Sequence, residues 1–194
     1  MATHTVTLHR VFRASPDRLY RAFLNADALA KWLPPHGFTG HVHHLEARVG
    51  GTYRMAFSNF GTGESHAFGG TYLELVPNVR IRYSDQFDDP NLPGEMQTLI
   101  EFRAVSCGTE VRIVQEGIPE VIPVEACYLG WQESLLLLGQ LVEADIPGAS
   151  PEGRPRAHPG QRWAGCLPGH SERCSSRRQA PRLARLRFRC PPPR

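Results

Sequence analysis

The sequence predicts an α+β fold: a curved antiparallel sheet of about seven strands wrapped on one long C-terminal helix, with two short helices after the first strand. Three observations predict it. The segment 123–145, PVEACYLGWQESLLLLGQLVEAD, carries apolar residues at Val124, Cys127, Tyr128, Trp131, Leu135, Leu138, Leu141 and Val142. Those alternating steps of three and four place them on one helix face. Residues 38–117 are cut by turn-forming residues into six strand-length segments, and a sharply started helix pair directly follows the first strand. A stripe of about five turns is too large to leave in water at about 25 cal/mol per Å² of apolar area, and the strands are its natural partner. With one helix covering one face, the other face of the sheet is solvated, which favours antiparallel pairing.

Taken in order, Thr5 to Phe12 alternates Val6, Leu8, Arg10 and Phe12 against Thr7, His9 and Val11, a strand pattern. Ser15-Pro16-Asp17 then starts a helix. Ser15 serves as N-cap, Pro16 occupies the first turn, and Asp17 favours the positive end of the dipole. Leu19, Tyr20, Phe23 and Leu24 give that helix a face to bury. Asp27 is the expected N-cap of a second helix, ALAKWL, stopped by Pro34-Pro35. Strands follow at about 39–48, 51–58, 65–76, 79–87, 97–105 and 109–117. Gly50-Gly51 suits a tight hairpin, because glycine reaches positive φ without strain. Pro123 fits the first turn of the long helix, and Ile146-Pro147-Gly148 stops it.

The charge is unevenly distributed. The net +3 of the 194 residues hides an acidic body and a basic tail. Residues 1–148 hold 11 Lys+Arg against 17 Asp+Glu, whereas 149–194 hold 11 Arg against 2 Glu. A body of that length buries about two-thirds of its unfolded surface, enough for its own core. The tail, with eight prolines and no lysine, isoleucine or valine, has a composition that does not fold. Translation out of frame past codon 148 would produce the same abrupt change. We therefore expect a folded domain over 1–148 and a disordered Arg/Pro-rich tail over 149–194. The Arg182–Arg189 run is the stretch suited to nucleic acid or an anionic membrane; none is expected for the body. The opening MATHTVTLHR lacks the apolar core of a secretion signal, no run approaches a membrane span, and five cysteines show no disulfide framework. The expected location is the cytoplasm.

Local motifs carry a resemblance. They are Phe12-x-Ala14-Ser15-Pro16-x-x-x-Tyr20-x-Ala22-Phe23, Leu29-x-x-Trp32-Leu33, Glu46-x-Arg48-x-Gly50-Gly51-x-Tyr53-Arg54, Gly70-x-Tyr72-x-Glu74, Gly108-Thr109-x-Val111 and Gly130-Trp131-x-x-x-Leu135. In this order and spacing, over about 5–145, the chain resembles the START-like (SRPBCC) superfamily with its helix-grip fold. It is most similar to the branch of the C-terminal domain of the activator of the heat-shock protein 90 ATPase. The resemblance implies a deep cavity between the long helix and the sheet, used for lipids, polyketides, hormones or other apolar molecules. Some relatives are cyclases or aromatases, and others only bind. Chaperone activators carry a further N-terminal domain that these residues do not contain, so a chaperone partner is the lesser expectation.

The expected ligand is therefore a small apolar molecule, without cofactor, and binding without turnover comes first. Trp32, Tyr53, Phe57, Tyr83, Trp131 and Leu135 are the expected lining, since such cavities are mostly apolar with a few polar groups. The alternative is a polyketide cyclase-like or hydrolytic enzyme with His41 or His43 as base, since histidine titrates near neutral pH. Tyr53, Tyr83, Glu74 or Glu101 would assist it. His41 and His43 share a strand face with His36 and His44 nearby, but a metal site needs a further convergent ligand, and none is expected. Arg54 is expected on the surface, paired with Glu46, rather than in the cavity facing a ligand carboxylate. Cys127 reads as a small buried hydrophobe. An exposed sheet edge would suit a homodimer.

Overall fold

The computed structural model describes residues 3–145, and the elements run β1 (Thr3–Phe12), α1 (Pro16–Leu24), α2 (Ala26–Trp32), β2 (Phe38–Leu45), β3 (Thr52–Asn59), β4 (Ser65–Val76), β5 (Arg80–Phe87), β6 (Met96–Val105), β7 (Gly108–Pro119) and α3 (Val124–Val142). The expected tail, 149–194, lies outside the described residues. The seven strands form one antiparallel curved sheet in the order β1-β7-β6-β5-β4-β3-β2. Six strands are thus a meander, and β1 closes onto the last of them through a register that runs from His4 opposite Ile118 to Phe12 opposite Thr109. No described helix is long and apolar enough to cross a membrane.

The helix starts obey local chemistry. Ser15 caps α1 by accepting from the Arg18 N–H at 3.3 Å, with Pro16 and Asp17 in the first turn. The second cap is Asn25, not Asp27: its Oδ1 accepts from the Ala28 N–H at 2.9 Å, and Asp27 sits in the first turn. Both residue types cap equally well, so the sequence did not separate them. In α3, Pro123 is the cap residue and Val124 the first helical one. The helix ends at Val142 rather than Asp145, where Glu143 accepts from the Arg13 N–H at 3.0 Å and ties the helix end to the β1–α1 link.

The apolar stripe of α3 packs on the inner face of the sheet. Leu135, Leu138 and Val142 are buried with Val6, Leu8, Phe12, Ile100, Val111 and Ile113. Trp32, with no exposed surface, joins α1 to α2: its indole N–H donates to the Ala22 carbonyl at 2.9 Å, and Phe23 meets it edge-on at 4.7 Å. The outer face carries charge instead. Arg80 reaches Glu74 at 3.3 Å and Glu101 at 3.6 Å, and Arg112 reaches Glu101 at 3.5 Å.

Curvature comes from irregular places. The β2–β3 connection is not a tight turn at Gly50-Gly51 but the whole of 46–51, because Gly50 N–H and Gly51 C=O are taken by Tyr72 of β4 at 2.8 and 2.9 Å. Register shifts interrupt β2–β3 between Val42 and His44 and β4–β5 between Tyr72 and Glu74. Gly69-Gly70 lets β4 approach both neighbours: a Cβ at 69 would lie 2.3 Å from the Tyr53 carbonyl oxygen, and one at 70 would lie 1.8 Å from that of Ser84. Glycine inside a strand marks such close backbone approach. Gly70→Ala should therefore destabilise by about 1–3 kcal/mol, the usual range for overpacking, measured as a lowered urea midpoint. A midpoint within error of the native one would contradict the close approach.

Candidate functional site

Between α2, α3 and the inner face of β3–β7 lies a cavity of about 260 Å³. Strand alternation builds its walls. Tyr53, Met55 and Phe57 face it from β3, Phe68 and Tyr72 from β4, and Tyr83, Asp85 and Phe87 from β5. Phe23, Leu29 and Trp32 close one side, and Cys127, Gly130, Trp131 and Ser134 of α3 form the roof. The rings interlock: Tyr53 lies 5.5 Å from Tyr72 and 5.6 Å from Tyr83, and Phe57 lies 4.8 Å from Phe68. Offset and edge-on ring pairs of this kind hold a wall in one arrangement.

Of the expected lining residues, Trp32, Tyr53, Phe57, Tyr83 and Trp131 are brought to this cavity. Leu135 is not. It is 2% exposed and packed in the core one turn further along α3, since the helix crosses the sheet and only its first half roofs the cavity.

The expected catalytic histidines do not reach the cavity. His41 and His43 sit on edge strand β2 with their rings 4.7 Å apart, and both are exposed. The period of two turns Val42 inward and its neighbours out. Their proposed helpers Glu74 and Glu101 lie in the surface ion pairs of the outer face. Among the described residues, no three His, Cys, Asp or Glu side chains converge as metal ligands. Arg54 is on the surface, but it pairs with Asp88, while Glu46 takes Arg48 at 2.8 Å. The histidine that does line the cavity is His66, exposed at its mouth on β4.

The polar groups inside fall into two kinds. Gln115 and Ser134 are occupied by the protein itself. The Gln115 Oε1 accepts from the Trp131 indole at 2.8 Å and from the Cys127 thiol at 3.4 Å, and the Ser134 hydroxyl donates to the Leu33 carbonyl at 2.6 Å. Cys127 is half-buried, and burial pushes its thiol pKa up. Asp85 is different. It is 8% exposed, and its Oδ1 is buried without a hydrogen-bond partner. Burial pushes its carboxyl up to about 7, opposed in part by the Tyr53 hydroxyl and the Gln86 backbone N–H. The Tyr53 hydroxyl, with one proton to give, also lies 3.4 Å from the Ser84 carbonyl oxygen. Burial, with the Asp85 charge adding to it, raises the Tyr53 and Tyr83 phenols, and burial raises Tyr72, so all three stay neutral donors.

Asp85 leaves a signal in the sequence. In RIRYSDQF the inward series is Ile81, Tyr83, Asp85, Phe87, so a carboxylate occupies an apolar phase of an alternating strand. Such a residue is seldom buried without a partner. The site is thus a small aromatic chamber with one unpartnered acidic oxygen, and no Arg or Lys among the described residues that line it.

Known proteins share this architecture. A crystal structure of a Chromobacterium violaceum protein is 60% identical, matches 73% of this chain and 98% of its own, and superposes with a TM-score of 0.72. A Rhizobium leguminosarum protein (23% identity, 73% of this chain and 95% of its own, TM-score 0.62) and a Rhodobacter sphaeroides protein (20%, 72% and 91%, 0.63) share the fold. No curated protein is found to match. The family model described as activator of Hsp90 ATPase homolog 1-like protein matches residues 13–143. With that match extending from the β1–α1 link to the end of α3, the chain belongs to the family of activator of Hsp90 ATPase homolog 1-like proteins.

Proposed function

We propose that this chain is a binding domain for a small, largely apolar molecule held between α3 and the sheet. The observation that supports it is the aromatic-walled cavity, in which the polar groups of Gln115, Ser134 and Trp131 are already partnered within the protein. Burial of the ligand's apolar surface supplies the affinity, at about 25 cal/mol per Å², and a preformed wall of paired rings lowers the ordering cost of binding. Trp32, Tyr53, Phe57, Tyr83 and Trp131 are the lining contacts.

Gly130 provides the test. It lines the cavity, and a Cβ placed there would meet nothing within 4 Å. Gly130→Leu adds an apolar side chain at the cavity lining with room for its Cβ, and leucine is the better helix former by somewhat under 1 kcal/mol. The expected result with 1-naphthylmethanol as probe, followed by amide NMR titration, is saturable binding to the native chain with shifts in residues 124–134 and facing strands. In Gly130→Leu the affinity falls at least tenfold while the thermal midpoint is kept or raised. Equal binding by both proteins would overturn the cavity as the site, and absence of binding to the well-folded native chain would overturn the reading.

A further inference from the structure

Resting on that reading, we infer that the ligand carries a protonated amine whose N–H groups bind the Asp85 carboxylate, and that carboxylate-bearing molecules such as fatty acids are selected against.

The inference stands on what faces the chamber. Asp85 enters from β5 at an inward position between Tyr83 and Phe87, and its Oδ1 is buried with no donor from the protein. A buried acceptor left without a donor costs free energy, so a site that keeps one is shaped for a donor from outside. Charge-assisted hydrogen bonds are about twice as strong as neutral ones, which favours an ammonium over a hydroxyl. The rings of Tyr53, Tyr72 and Tyr83 pack on one another in the same cavity wall, and aromatic rings attract cations. A ligand carboxylate, by contrast, would meet a second acid and no Arg or Lys among the described lining residues. Like charges in a partly enclosed site repel more strongly than in bulk water.

The groups facing Asp85 also set the pH behaviour. Tyr53 from β3 and Tyr83 from β5 act on it directly, and Tyr72 and His66 from β4 and the Cys127 thiol from α3 are the other titratable groups lining the cavity. The β6 and β7 contributions, Met96 and Gln115, carry no titratable group. Ionised Asp85 is the binding form. With its pKa near 7, amine affinity should rise about tenfold per pH unit below that value and level off above it.

The test compares three probes of one shape, 1-naphthylmethylamine, 1-naphthylmethanol and 1-naphthoate, by calorimetry on the full chain and on Asp85→Asn and His66→Gln. Expected is at least tenfold tighter binding of the amine than of the alcohol at pH 8, and weakest binding of the acid. Asp85→Asn should remove the amine's advantage over the alcohol and its pH dependence, and His66→Gln should retain both. Equal affinities for the three probes, tightest binding of 1-naphthoate, or an amine preference that persists in Asp85→Asn would each overturn the inference while leaving the cavity reading intact. No binding of any probe would overturn both.

Discussion

Asp85→Asn flattens the dependence of stability on pH between 5 and 8, where the native protein loses about 3 kcal/mol through this one side chain. The carboxyl titrates near 3.8 in the unfolded chain and near 7 when folded. A raised folded pKa means the native state holds the proton more tightly. The stabilisation is therefore complete below the unfolded pKa, diminishes above it, and is gone once the pH has passed through the folded one. Glu110 behaves oppositely: hydrogen bonds from His9 and Arg103 lower its pKa, so its contribution is lost on acidification. That loss falls below the window considered. Urea unfolding at pH 5 and pH 8 for both proteins is the measurement. A native chain as stable at pH 8 as at pH 5 would mean that Asp85 is solvated or already paired.

Trp32→Ala should cost about 3–5 kcal/mol, the range for removing a large buried aromatic. Native domains are stable by only about 5–15 kcal/mol, so the variant would be near unfolding at 25 °C. Trp32 is fully buried, meets Phe23 edge-on, and lines the cavity beside α2. Its loss also strands the Ala22 carbonyl that accepts its N–H. Trp32→Phe separates the two effects: packing is largely kept, and the cost should fall to about 1–3 kcal/mol for the unpaired carbonyl. Urea midpoints of the two variants give the comparison. A loss under about 1 kcal/mol in Trp32→Ala would show that α2 is not held through this residue.

Element order was legible because it depends on local chemistry. Ser15-Pro16 starts α1 where the cap and fixed φ demand, and the three-and-four spacing from Val124 onward describes one helix. Where two local solutions were equivalent, neighbours decided: Asn25 rather than Asp27 caps α2, and Tyr72 widens the connection at Gly50-Gly51. Tyr53 and Phe57, expected in the lining from the resemblance, lie on the cavity side of β3.

The sequence by itself determined which residues form strands and helices, the order of those elements, and the α+β layering that buries the α3 stripe. Those follow from spacing and solvation along a single segment. Only the tertiary structure decided where α3 crosses the sheet, which puts Trp131 over the cavity and Leu135 in the core. It also sent His41 and His43 outward on an edge strand and gave Arg54 to Asp88. Above all it left the Asp85 Oδ1 without a donor among aromatic rings. Whether a buried acid has a partner depends on side chains brought from β3, β4 and α3, and no spacing within one strand contains that information.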